Sequence, residues 1–182
     1  LLLLPVHVVL LELIIDPTCS IVLERQPAES NIMDRKPRDP NEKILTAGVL
    51  TKSILQGLAI FIASFGTYYM LIKQQPENPQ LARTMGLSII MIANLFLVQV
   101  NSSNYDNAFK TMKYLIKDKV MWAVIIGTVA GLLLMLYTPL NRILNLAPLS
   151  LSQFFIAVGI AAVSVLWYEI VKIFNNMNLN KN

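Results

Sequence analysis

Glu12 and Asp16 sit four residues apart inside an apolar run, Leu1 to Leu23, that reads LLLLPVHVVLLELIIDPTCSIVL. An acidic side chain at the centre of a bilayer costs about 2.5–3.5 kcal/mol on insertion scales. Positions i and i+4 share one face of a helix, so both carboxylates point the same way. Pro17 follows Asp16, has no N–H to offer the Leu13 carbonyl, and is expected to break the helix there. Two carboxylates and a released carbonyl at membrane depth make a site for a hard cation, which takes oxygen ligands. The other reading of these residues is an acidic pair satisfied within a helix bundle, or a short interfacial helix. Expensive charge inside a membrane usually has a use, which favours the ion site.

The elements that must position these acids follow from composition. Of 182 residues, 55% are hydrophobic and 14% charged, and the mean hydropathy is +0.56. Soluble domains carry charge on about a quarter of their residues. A helix needs around 20 mostly apolar residues to cross the hydrocarbon core. Besides the opening run, Ala47 to Ile72, Thr84 to Val100, Val120 to Tyr137 and Phe154 to Phe174 qualify. The expected fold is therefore all-α, a polytopic transmembrane helix bundle of five membrane spans embedded in a lipid bilayer. It divides into the acid-bearing helix (1–23), a Pro-rich polar loop (24–45), and four further helices with short loops and a polar tail (46–182).

The formal charge of +4 does not point to nucleic acid, because the basic residues gather in loops, where they set topology. Arg25, Arg35, Lys36, Arg38 and Lys43 follow the first span; Lys110, Lys113, Lys117 and Lys119 follow the third; Lys172 and Lys181 close the chain. The other two loops carry only Lys73, Arg83 and Arg142. This alternation expects the first and third loops and the C-terminus on the cytoplasmic side of the membrane. The chain opens on Leu, without a basic leader region or a small-residue cleavage site, and is read as part of a larger polypeptide.

Single polar residues carry weaker signals. Asn94, near the centre of the third span, either hydrogen-bonds a neighbouring helix or offers one carbonyl oxygen to an ion. His7, the lone histidine, reads as interfacial or packed, and Cys19, the lone cysteine, as packing or a soft ligand. Glu169 and Lys172, beside Trp167 and Tyr168, are an anchored helix end or a second ion route. Gly127 and Gly131 have the GxxxG spacing of close helix packing. Phe109, Met112 and Leu115, with lysines between them, suggest a short amphipathic surface helix. No Gly-rich phosphate loop, HExxH, Cys-x-x-Cys pair or Ser-His-Asp set occurs, and no residues suited to nucleotide hydrolysis.

The segment LPVHVVLLELIIDPTCSIVLERQPAESNIMDRKPRDP resembles the sixth transmembrane helix and following cytoplasmic loop of P-type cation-transporting ATPases, in their calcium-pump branch. That branch has a Pro-Val entry, an Asn-Leu-x-Thr-Asp core and an Asp-Ile-Met-x-Arg-x-Pro-Arg loop. This sequence has Pro5 and Val6, then Glu12-Leu-Ile-Ile-Asp16, then Asn31-Ile-Met-Asp-Arg-Lys-Pro-Arg38. Met85-Gly-Leu-Ser88 is similar to the start of the eighth helix, and Leu149-Ser-Leu-Ser-Gln153 to the entry of the tenth. The resemblance implies that the five spans are helices six to ten of such a pump.

It also implies a site. Asp16 matches the sixth-helix aspartate that binds the transported cations, and Glu12 stands where calcium pumps commonly have an asparagine ligand. Ile15 replaces a threonine, Pro17 a glycine, and Asn94 falls where a calcium pump carries an eighth-helix glutamate. The metal ligands expected are thus Asp16, Glu12, Asn94 and the Leu13 carbonyl, for a transported cation such as Ca2+. ATP and Mg2+ would act only in domains outside this sequence. The implied partners are the bilayer and the N-terminal part of the pump, with its cytoplasmic phosphorylation domain and first five helices. The implied location is the plasma (inner) membrane. The rival reading is a stand-alone small membrane protein, an accessory subunit or channel, or a degenerate pump fragment.

Overall fold

On the helix Ala47–Gln74 the two fully buried side chains are Gln56 and Ser64, while Leu58, Phe61, Ile62 and Met70 lie exposed. In water this arrangement would be inside out; against lipid tails it is the favourable one, because polar groups need partners and apolar ones do not. The computed structural model describes residues 2–24, 33, 47–101 and 119–179, with side chains described for 2–24, 33, 47–101 and 122–171. Its helices are α1 (Pro5–Glu24), α2 (Ala47–Gln74), α3 (Pro79–Asn101), α4 (Lys119–Tyr137), a one-turn α5 (Leu140–Ile143) and α6 (Leu151–Leu179). No strand occurs among the described residues.

Four of these helices, α1, α2, α3 and α6, are long and apolar enough to cross a membrane, and α4 supplies a shorter apolar helix over Trp122–Tyr137. The all-α membrane bundle expected from composition is the fold observed. The polar segment 24–45, apart from Glu24 and Met33, and the expected amphipathic helix around Phe109, Met112 and Leu115 lie outside the described residues.

At the centre stands α3, in contact with α1, α2, α4 and α6. It buries Met85, Leu87, Ile89, Met91, Ala93 and Val100. The core continues through Leu132 and Leu136 of α4 and through Ala157, Ala161 and Val165 of α6. Lipid offers no hydrophobic drive between helices, so contact area and fit hold the bundle, and small residues such as Ala157 and Ala161 allow close approach.

Helix ends follow local chemistry. Pro76 cannot extend α2. Asn78 then caps α3, its side-chain oxygen accepting the Leu81 N–H at 3.3 Å, with Pro79 at the first helical position. The third span was expected to begin at Thr84; this cap starts it at Pro79 and makes the polar turn of Gln80 and Arg83 helical. Ser150 and Gln153 form a reciprocal capping box, Ser150 N–H to Gln153 Oε1 at 2.9 Å and Gln153 N–H to Ser150 Oγ at 3.3 Å. That box sets the start of α6 at Leu151 instead of Phe154.

The break expected at Pro17 is absent. α1 runs through Pro17 as one helix. Proline's fixed φ is compatible with helix, and the residue removes one hydrogen bond without forcing a stop. One residue on, the Thr18 hydroxyl donates back to the Ile14 carbonyl at 2.6 Å.

Candidate cation site

α1 presents two unlike faces. His7, Leu11 and Val22 are buried, with Ile14, Ile15, Thr18 and Cys19 half-buried along the same side. Glu12, Leu13 and Asp16 are exposed, Leu13 to 68%. The spacing explains the split: four residues advance about 400°, so Glu12 and Asp16 differ by only about 40° around the axis. Both carboxylates therefore lie on one stripe, turned away from α3 and α4. Because Pro17 has no N–H, the Leu13 carbonyl lacks its ordinary helical donor on that outer side.

Asn94 lies elsewhere. It is half-buried on α3, and its amide nitrogen donates to the Ile90 carbonyl at 2.9 Å, leaving the amide oxygen as an acceptor. With Ile15, Thr18 and Cys19 of α1 and Thr128 of α4, it lines a cavity of about 10 Å³, roughly the room of one water molecule. Ile15 immediately precedes Asp16, while Thr18 and Cys19 follow it. Asn94 thus meets α1 at the height of Asp16 but on the neighbouring face. Of the four expected ligands, the structure groups Glu12, Leu13 and Asp16 on one surface and sets Asn94 behind it.

The acid stripe alone cannot enclose an ion. Among the described residues no three His, Cys, Asp or Glu side chains come together in a way that could hold a metal. Calcium takes six to eight oxygens, more than two carboxylates and one carbonyl supply. What the stripe offers is negative charge and oxygen donors on one side of a cation.

Some neighbours of this region were not legible beforehand. Thr128 brings a hydroxyl to the cavity from α4, its only sequence signal being its place between Gly127 and Gly131. The GxxxG pair itself splits: a side chain at Gly131 would touch Ile14 of α1 at 3.8 Å, whereas Gly127 faces open space. His7 is completely buried and bonded at both ring nitrogens, to the Leu4 N–H at 3.2 Å and the Leu144 carbonyl at 2.7 Å. Glu169 is only 5% exposed. Next to it the Lys52 ammonium sits 4.8 Å from the centre of the Tyr168 ring; the Lys172 side chain lies outside the described residues.

Residues 1–174 match the family model described as cation transporting ATPase, C-terminus. Over 172 residues the chain is 28% identical to a calcium-transporting ATPase of Listeria monocytogenes, an alignment covering 91% of this chain and 18% of that protein. A calcium-transporting ATPase of Bacillus subtilis is 25% identical over 165 residues, covering 88% of the chain and 18% of the relative. Calcium-transporting ATPase 1 of Lactococcus lactis is 26% identical over 168 residues, with 89% and 18% covered. The chain therefore spans about a fifth of the length of these relatives. The match runs from the acid-bearing helix through most of α6, and the chain belongs to the family of cation-transporting ATPase C-terminal regions.

Proposed function

We propose that this chain is the C-terminal membrane region of an ATP-driven calcium pump, and that α1 supplies part of the transported-ion site through Asp16, Glu12 and the Leu13 carbonyl. The observation that carries the reading is the exposed acid stripe on a membrane-length helix. Two carboxylates facing hydrocarbon would together cost about 5–7 kcal/mol on insertion scales, comparable with the whole stability of an ordinary domain. Such a stripe needs covering by protein that also brings oxygen donors. The first five helices of the pump would do both. The names of the three relatives favour Ca2+ as the cargo. Asn94 would add one neutral oxygen from the side.

In the working pump, ATP and Mg2+ act in a cytoplasmic domain outside this sequence, where phosphorylation switches access to the ion site. Glu12 and Asp16 are anionic with a cation bound. The polar loop 24–45 couples the phosphorylation domain to α1. Its basic residues, with those of the third loop and the C-terminus, favour a cytoplasmic side for all three, and the bacterial relatives favour a plasma (inner) membrane location.

The test is transport by the full-length protein reconstituted in vesicles. ATP-driven Ca2+ uptake is expected, abolished when the phosphorylated aspartate is removed. ATP hydrolysis and ion movement that ignore Ca2+ across its usual concentration range would overturn the assignment of the cargo.

A further inference from the structure

We propose that His7 is a positioning residue for the cation site: its hydrogen bond to the Leu144 carbonyl fixes the height and rotation of α1. This rests on the reading that Asp16 and Glu12 bind the transported ion. The bonding of the ring is unambiguous in direction. A backbone N–H can only donate, so Nδ1, facing the Leu4 N–H at 3.2 Å, must be the bare acceptor nitrogen. Nε2 then carries the proton and donates it to the Leu144 carbonyl at 2.7 Å, a group that can only accept. The neutral ring satisfies both contacts.

Leu144 is itself held in place. Asn145, next in the chain, takes the left-handed conformation with φ 56°. Its carbonyl accepts from Arg83 Nη1 at 3.0 Å, and its side-chain oxygen from Gln80 Nε2 at 3.1 Å. Two residues further, the Ala147 N–H donates to Thr84 Oγ1 at 2.8 Å. The loop between α4 and α6 is thus fastened to α3, the central helix, and His7 fastens α1 to that loop.

Among the described residues, the His7 bond is the only side-chain hydrogen bond joining α1 to the rest of the chain. Otherwise α1 packs on the core through apolar side chains, Leu10, Leu11, Ile14 and Ile15 in the main cluster and Val22 against Val98. Such contacts are less directional than a hydrogen bond, so the His7 bond adds a defined height and rotation to the fit of those side chains. Nine residues separate His7 from Asp16, about 900° of helical turn, so Asp16 points opposite to His7 and lies about 13.5 Å further along the axis. Anchoring His7 inward aims Asp16 outward.

The experiment uses the full-length pump, titrating Ca2+ in phosphorylation from ATP and separating the half-saturating concentration from the maximal phosphoenzyme level. His7→Leu should raise half-saturation about tenfold with the maximum retained, as expected for loss of one positioning bond. His7→Gln, which keeps an N–H donor, should restore most of the affinity. Tyr137→Phe, which removes a different bond in the same loop, Tyr137 hydroxyl to the Leu149 carbonyl at 2.6 Å, should leave half-saturation unchanged. Should His7→Leu fail to reach the membrane, Thr84→Val, which removes one of the three bonds holding the loop to α3 without touching α1, should raise half-saturation in the same direction by a smaller factor. Unchanged half-saturation in His7→Leu or Thr84→Val overturns the proposal, as does an equal rise in Tyr137→Phe or a lowered maximum alone. Retention of wild-type Ca2+ dependence by Asp16→Asn would instead overturn the ion-site reading beneath it.

Discussion

The side-chain amides of Gln56 on α2 and Asn101 on α3 meet head to head, Gln56 Nε2 donating to Asn101 Oδ1 at 3.3 Å and Asn101 Nδ2 to Gln56 Oε1 at 3.2 Å. Gln56 is 3% exposed, so its amide has no water to fall back on. Hydrogen bonds between membrane helices average about 0.6 kcal/mol and reach about 1.7. Gln56→Leu should therefore lower stability by about 1–2 kcal/mol, since it also strands the Asn101 amide. The double variant with Asn101→Leu should recover part of that loss. Thermal unfolding in detergent across the double-mutant cycle measures both terms, and additive losses would contradict the pairing.

The capping box of α6 makes a second prediction. Ser150→Ala removes the hydroxyl that receives the Gln153 N–H and should cost about 1 kcal/mol. Hydrogen exchange at the first turn of α6 should accelerate with it, while exchange in the centre of α3 stays slow.

Gly86 lies where α3 approaches α2. A Cβ there would run into the Leu2 side chain and touch the Ser64 carbonyl at 3.4 Å. The end of Leu2 can move aside, but the Ser64 backbone cannot. Gly86→Ala should be tolerated to within about 1 kcal/mol, helped by the better helix propensity of alanine. Gly86→Val should destabilise by about 1–3 kcal/mol through overpacking. Yield and melting temperature of the two purified variants give the comparison.

Charge asymmetry makes a topological prediction. Glu77, exposed in the turn between α2 and α3, belongs to a connection poor in lysine and arginine and should face away from the cytoplasm. Glu77→Cys, in a Cys19→Ser background, should react with a membrane-impermeant thiol reagent in intact cells. Reaction only after the cells are opened would reverse the orientation.

What the sequence disclosed was whatever depends on near neighbours. Hydropathy over windows of about 20 residues located the helices, and the four-residue spacing put Glu12 and Asp16 on one stripe. Helix starts were misjudged because hydropathy ignores caps: Asn78 and Ser150 extend α3 and α6 beyond their apolar stretches. Pro17 misled because a lost hydrogen bond is not a broken helix. The link from His7 to Leu144 spans 137 positions and joins a side chain to a backbone carbonyl, so no local pattern announces it. Asn94 was visible as a polar residue in a span, but its setting beside Ile15, Thr18 and Cys19 depends on how α1 turns against α3.

The central claim is that Asp16 binds the transported ion by charge. Asp16→Asn keeps the side chain's shape and removes that charge, and in the full-length pump it should raise the Ca2+ needed for phosphorylation from ATP by about a hundredfold or more, on the scale of losing one close charge interaction in a partly buried site. Glu12→Gln should weaken binding less, and Asn94→Ala less again, because a neutral amide gives one carbonyl oxygen at most. The decisive measurement is the Ca2+ titration of phosphoenzyme formation in Asp16→Asn beside wild type. A large rightward shift supports the account. Superimposable curves would contradict it and leave the acid stripe a structural feature of α1.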